Sequence, residues 1–194
     1  MKKLKNIDKR PYSGIYKPLN PQKYKGNVNN IIYRSSWEKR FMMYCDKNRS
    51  VLEWGSEEIA ISYRSVDNRP HRYYPDFYMK VRKSDGSYQK FIVEIKPKKQ
   101  TRKPKAPLRI TRTYKNALIT YERNRRKWST AYAWCHKRNM KFLILTEDHL
   151  KTFYAENCIS NSSSSLFDFF RLNSLLTNLK FEMSFEPCLL KGTM

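Results

Sequence analysis

Three residues, Asp76, Glu94 and Lys96, have the types and spacing that hydrolysis of a phosphate ester requires. Asp76 and Glu94 lie among apolar and β-branched residues, where carboxylates are rare unless a partner or a cation compensates their charge. A hard divalent cation such as Mg²⁺ binds carboxylate oxygens and completes its shell with water and substrate phosphate oxygens. Lys96 could orient the attacking water or stabilise the charge that develops on the phosphate. The three residues therefore predict a metal-assisted hydrolytic site.

The segment that carries these residues has two apolar runs joined at residues 84–86, which predicts a β-hairpin. A two-residue turn would place Phe77 opposite Glu94 and mix a charge into the apolar face. A three-residue loop with its glycine in the left-handed conformation places Phe77 opposite Val93 and Asp76 opposite Glu94. The hydrophobic pattern favours the three-residue loop. We therefore expect the two carboxylates about 4.5–5.5 Å apart at Cβ, with Lys96 on the same face.

The chain is strongly basic, with a formal net charge of +23 over 194 residues, which indicates a polyanionic partner such as nucleic acid. Residues 96–127 include thirteen Lys or Arg and one acid, whereas a solvated face usually alternates in sign. We assign DNA phosphate contacts to the basic residues that follow the hairpin: Lys98, Lys99, Arg102, Lys103, Lys105, Arg109 and Arg112.

A helix is predicted on each side of the hairpin. Apolar residues recur at helical spacing between residues 37 and 45, with Ser35 as the N-cap and Glu38 completing a capping box. A long helix is predicted at residues 111–138, with Trp128 and Tyr132 in the core. A buried strand follows at residues 141–147. A helix, a meander of strands, a long helix and a strand together predict a layered α/β core.

Composition divides the chain into three parts. Residues 1–30 hold eight Lys or Arg and one acid, which predicts a basic arm, and residues 31–151 form the predicted domain. Residues 152–194 hold three basic and four acidic residues, and we expect an extension of unknown role. Four widely spaced cysteines are expected to be free thiols in a reducing compartment. No apolar run approaches the roughly 18 residues of a membrane span, so no membrane partner is expected.

Several stretches resemble known nucleases. Pro75-Asp76 followed by Glu94-Ile95-Lys96 is similar to the PD-(D/E)xK motif. More specific are "NPQKYKG", "NIIYRSSWEKRFMMYCD", "HRYYPDFYMK" and "VEIKPKKQT", which together resemble the head completion nucleases of T4-like tailed bacteriophages and, more distantly, the TnsA transposon endonuclease. The similarity covers roughly residues 12–150.

This resemblance implies a restriction-endonuclease-like core, a mixed β-sheet flanked by helices, that hydrolyses DNA with Mg²⁺, or with Mn²⁺ in its place. It implies that Asp76, Glu94 and the Ile95 carbonyl bind the metal, that Glu38 joins them, and that Lys96 is the catalytic lysine. It also implies duplex DNA of little sequence specificity and phage head or portal proteins as partners, in the host cytoplasm or the virion.

Structural alternatives remain open for the site residues. Glu38 could serve only the capping box, Asp76 only a turn after proline, and Glu94 with Lys96 only a solvated ion pair. A non-catalytic head-completion protein that holds the DNA end would carry the same motif, so the sequence does not separate it from an enzyme. A membrane-surface binder is a third alternative, but no basic segment has a free apolar face.

Overall fold

The computed structural model describes residues 12–150. Short 3₁₀ turns lie at Pro21–Lys23, Val28–Asn30 and Lys98–Gln100. The helices and strands are, in chain order, β1 (Gly14–Ile15), β2 (Ile32–Tyr33), α1 (Ser36–Lys47), β3 (Val51–Ser56), β4 (Ile61–Arg64), β5 (Pro70–Tyr73), β6 (Phe77–Arg82), β7 (Tyr88–Ile95), α2 (Arg112–His136) and β8 (Met140–Leu145).

A four-stranded mixed sheet in the order β3-β6-β7-β8 forms the centre of the molecule. Strand β6 pairs antiparallel with β3 and β7, whereas β8 is parallel to β7 because α2 provides the crossover. Helix α1 packs on one face of the sheet through Phe41 and Met42. Helix α2 and the β4–β5 hairpin pack together on the other face around Trp128. This arrangement confirms the predicted α/β core with a mixed sheet between helices.

The β6–β7 hairpin has the register that the hydrophobic pattern favoured. Phe77 pairs with Val93, and the apolar face of the hairpin enters the core against α1. The Lys83 amide donates to the Ser87 carbonyl at 2.8 Å, which closes a three-residue loop. Gly86 has a φ of 80°, a left-handed conformation that costs glycine little. The predicted loop type and register are therefore confirmed.

Both predicted helices are present, and the predicted N-cap at Ser35 is confirmed. The Ser35 hydroxyl accepts a hydrogen bond from the Glu38 amide at α1, and the Thr111 hydroxyl accepts one from the Tyr114 amide at α2. The core assignment was wrong for one residue of α2, Tyr132, which is 54% exposed. It lies beside the stripe of Trp128, Ala131 and Cys135 that is buried, and its ring faces outward.

Residues 12–30, the described part of the predicted basic arm, pack against the domain. Tyr16 and Tyr24 are buried, and their rings lie edge-on to the Trp54 ring of β3 at centroid distances of 5.9 and 4.8 Å. A Cβ on Gly55 would lie 2.9 Å from the Lys25 carbonyl oxygen, so this close approach requires glycine. Residues 1–11 and 151–194, which include the predicted extension at 152–194, lie outside the described residues.

Within residues 12–150, neither α-helix is long and apolar enough to cross a membrane.

Candidate active site

Asp76, Glu94 and Lys96 meet at one end of the β6–β7 hairpin. Asp76 directly precedes β6, and its Oδ2 accepts a hydrogen bond from the Ile95 amide at 2.7 Å. The Lys96 Nζ lies 2.7 Å from Glu94 Oε1 and 3.7 Å from Asp76 Oδ2. The amine therefore bridges the two carboxylates. The structure brings together the three residues that the sequence placed on one face.

Glu94 is held in place by a tyrosine from the neighbouring hairpin. The Tyr73 hydroxyl, at the end of β5, donates to Glu94 Oε2 at 2.6 Å. Glu94 is only 3% exposed, whereas the side chains of Asp76 and Lys96 are 20% and 26% exposed. Of the two carboxylates, Glu94 is therefore buried with its oxygens fixed, whereas solvent or a ligand can reach Asp76.

The electrostatics of the site disfavour two free carboxylates. Burial, and then repulsion by Glu94, raise the pKa of Asp76 well above its usual value. Burial alone would lower the pKa of Lys96, but the attraction of Asp76 and Glu94 outweighs it and raises that pKa. The site stabilises a cation between its two acids.

Glu38 approaches this region from the start of α1. Its Oε1 accepts from the Ser35 hydroxyl at 2.9 Å and its Oε2 from the Arg34 amide at 2.7 Å, so the capping box is formed. Glu38 also lines a groove together with Ile95 and Lys96. Glu38 therefore caps the helix and faces the site, but it does not form an ion-binding cluster with Asp76 and Glu94. Among the residues that the structure describes, no three His, Cys, Asp or Glu side chains form a group able to hold a metal.

The donor set nevertheless fits Mg²⁺. The ion commonly takes one or two carboxylates and keeps several waters, and it does not need a cage made only of protein atoms. Asp76 and Glu94 provide two hard oxygen ligands at the point where positive charge is stabilised. The Ile95 carbonyl is the additional ligand that the resemblance implies, and it belongs to the same strand end.

The predicted DNA-contacting residues begin immediately after this site. Lys98 is exposed but forms an ion pair with Asp148, so part of its charge is compensated. The remaining six are exposed, in the loop that joins β7 to α2 or at the first turn of α2: Lys99, Arg102, Lys103, Lys105, Arg109 and Arg112. These residues form a basic surface that begins beside the site.

Sequence analysis missed two residues of the site, Tyr73 and Lys127. Tyr73 could have been found from its position three residues before Asp76, at the end of a strand. Lys127 lies on α2 beside the buried Trp128, and its Nζ is 5.5 Å from the centroid of the Tyr73 ring. A lysine next to the buried stripe of a helix was the signal that could have identified it.

The fold and the site together define a class of protein that comparison also identifies. Residues 48–147 match the family model described as TnsA-like endonuclease N terminal. The chain belongs to this family, whose domain is restriction-endonuclease-like.

One relative matches over more of the chain. The "Head completion nuclease" of Enterobacteria phage T4 is 41% identical over 145 residues, which cover 72% of this chain and 94% of that protein. The match confirms the resemblance that the four sequence stretches indicated.

Proposed function

We propose that this protein is a Mg²⁺-dependent DNA endonuclease that acts in phage head completion after DNA packaging. The observation that carries the proposal is the convergence of Asp76, Glu94 and Lys96 at the end of one hairpin, at the start of a basic loop. Membership of the TnsA-like endonucleases supports a nuclease, and the name of the phage T4 relative supports the role in the head.

Each residue has a role that its contacts suggest. Asp76 and Glu94, with the Ile95 carbonyl, would hold Mg²⁺, or Mn²⁺ in its place, and Glu38 would face the same ion from α1. The bound ion would polarise the phosphoryl group and lower the pKa of a water molecule. Lys96 would then turn its ammonium from the carboxylates toward the phosphate and stabilise the charge that develops there. Tyr73 holds Glu94 in one orientation by its hydrogen bond.

The basic residues would bind the DNA backbone without reading its sequence. Lys98, Lys99, Arg102, Lys103, Lys105, Arg109 and Arg112 are assigned to this contact. Charge contacts to phosphates carry no base information, so we expect duplex DNA to be bound with little sequence specificity. Phage head or portal proteins are the proposed partners, in the host cytoplasm during assembly or in the virion.

The test compares cleavage of plasmid DNA by wild-type protein, Asp76→Ala and Glu94→Ala, with and without Mg²⁺. We expect Mg²⁺-dependent nicking by the wild type, and a loss of at least about 100-fold in both variants with DNA binding retained. Glu38→Gln provides a matched third variant, because glutamine keeps the capping box and removes only the charge. Mg²⁺ should also raise the melting temperature of the wild type but not that of Glu94→Ala. Wild-type protein that binds DNA but never cuts it with either metal would contradict the proposal.

One observation favours a second candidate, a non-catalytic protein that holds the DNA end. The Lys96 ammonium fills the position between the two carboxylates, and both Glu38 oxygens are used in the capping box. A vestigial site would be closed in this way. In that case Asp76→Ala and Glu94→Ala would support phage assembly as well as the wild type, whereas an essential nuclease would lose assembly in both.

A further inference from the structure

Lys127 of α2 is a half-buried lysine that the metal site itself does not use. Its Nζ lies 5.9 Å from the centroid of the Tyr63 ring and 5.5 Å from that of the Tyr73 ring, so two aromatic faces surround it. No carboxylate of the described residues lies within ion-pair distance of its ammonium. The two tyrosine rings offer the ammonium only a cation–π attraction, so an anionic acceptor would stabilise it further.

The topology places Lys127 at the level of the active site. Helix α2 connects to β8 through residues 137–139 and packs against it, and β8 runs parallel to β7. Six strand residues span about the length of thirteen helical residues, so the end of β8 lies level with about residue 124 of α2. Leu145 at that end pairs with Ile95, between Glu94 and Lys96. Lys127 therefore stands beside the last residues of β7.

The contacts of Tyr73 link Lys127 to the carboxylates. The Tyr73 hydroxyl donates to Glu94 Oε2, and the ring of the same tyrosine faces the Lys127 ammonium. Burial lowers the pKa of Lys127, and the attraction of Glu94 and then of Asp76 opposes that effect. The lysine thus lies within the electrostatic field of the site, on the wall formed by α2 and the β4–β5 hairpin.

A second polar group on this helix face is also without a partner. Asn124, one turn before Lys127, is 6% exposed, and its Nδ2 has no hydrogen-bond partner among the described residues. Helix residues three apart are neighbours, so the amide and the ammonium share one side of α2. Both can donate hydrogen bonds, and within residues 12–150 neither has a hydrogen-bond acceptor.

We propose that Lys127 binds a phosphate of the DNA strand seated in the active site, at the cleaved bond or next to it. A phosphate oxygen is the acceptor that a desolvated ammonium beside a nuclease site lacks. The proposal rests on the proposed function for the identity of the ligand. Lys127 is then a substrate-contacting residue on α2, opposite the loop assigned above to backbone binding.

The first measurement is equilibrium binding of duplex DNA in EDTA, which gives a result whether or not the protein cuts. The variants are Lys127→Met, Lys127→Arg and Lys137→Met, the last removing a lysine from the C-terminal cap of the same helix, about 15 Å away. For Lys127→Met, we expect the slope of log affinity against log salt to fall in magnitude by about 0.9. Lys127→Arg and Lys137→Met should keep the wild-type slope.

The second measurement is cleavage of end-labelled DNA, read at each bond. Lys127→Met should cut about 10- to 100-fold more slowly, the effect of losing one charged hydrogen bond. A neutral methylphosphonate placed at the contacted phosphate should slow the wild type but not slow Lys127→Met further. Equal penalties for the two proteins at every position would show that Lys127 acts only on structure.

The two measurements separate the two proposals. If the wild type never cuts DNA but Lys127→Met alone has the smaller slope of log affinity against log salt, the endonuclease proposal fails and the phosphate contact stands. If the wild type cuts DNA but Lys127→Met has the wild-type slope, the phosphate contact is wrong and the endonuclease stands. A lower melting temperature for Lys127→Met without a change in slope would also overturn the contact. Lys127→Gln, which also removes the charge but keeps a polar side chain, gives the same answer if Lys127→Met does not fold.

Discussion

Within residues 12–150, the buried carboxylate of Asp46 and the carboxylate pair of Asp76 and Glu94 differ in what compensates their charge. Asp46, at the end of α1, accepts hydrogen bonds from the Tyr16 hydroxyl at 2.9 Å and from the amides of Leu19 and Asn20 at 2.7 and 2.9 Å. Asp46 is fully buried. Three neutral donors fixed by the fold satisfy its carboxylate oxygens, and the Lys23 ammonium, which donates to the Asp46 carbonyl oxygen at 2.8 Å, adds an opposite charge.

The pair formed by Asp76 and Glu94 is compensated differently. Here two acids lie together, and a lysine that solvent can reach provides the opposite charge. Burial and a carboxylate group are common to both clusters, so neither feature identifies a functional site. The difference is that the pair keeps two like charges together, and this arrangement stabilises a cation between them, which is the Lys96 ammonium.

The largest effect is expected from a substitution in the cluster of Asp76, Glu94 and Lys96. Lys96→Met should slow single-turnover cleavage by about 100- to 1,000-fold, because the charge developing on the phosphate loses its nearest donor. Asp46→Asn is the control, and its folded molecules should cut at the wild-type rate. A Lys96→Met protein that cuts normally with saturating Mg²⁺ would remove the lysine from the mechanism.

A smaller effect, on stability alone, is expected in the Asp46 cluster. Asp46→Asn places an amide group against donors that need an acceptor, and should lower the free energy of unfolding by about 2–3 kcal/mol. Urea denaturation monitored by tryptophan fluorescence measures this change. If unfolding were unchanged but cleavage were lost, Asp46 would belong to the active site and the comparison would fail.

The comparison is sharpened by the matched variant Asp76→Asn, whose effect should depend on pH. Because burial and Glu94 raise the pKa of Asp76, ionising this group costs the folded protein stability. In EDTA, Asp76→Asn should match the wild type only at about pH 3 or below, where the acid is mostly protonated in both states. The variant should become the more stable protein as the pH rises through the raised pKa. A difference that is the same at pH 4 and pH 8 would contradict this account.

Local rules were sufficient to predict much of the fold and the centre of the site. The hairpin register could be predicted from the length of the loop, because only the three-residue loop keeps Phe77 and Val93 on the same apolar face. The N-cap at Ser35 follows from side-chain chemistry that needs no distant partner. Such features depend on neighbours in the sequence, and the sequence contains them.

Features that depend on distant contacts could not be predicted in the same way. Strand β3 was not predicted because buried and exposed residues do not alternate along it and because it contains Gly55. Glycine is required there because the Lys25 carbonyl approaches closely. Tyr16 and Tyr24 looked like part of a solvated arm because the residues around them are basic, yet Trp54 gives them a core to join. Lys127 comes near Tyr73 only through the packing of α2 on the β4–β5 hairpin.

The exposed turn at Gly86 divides the site between two parts of the chain. Glu38 and Asp76 precede it, whereas Glu94, Lys96 and Lys127 follow it. Cutting the chain at this turn would leave neither fragment with both Asp76 and Glu94, although the β6–β7 ladder could rejoin them. The turn is thus a natural place to build a split enzyme, whose two inert halves would regain activity only when mixed.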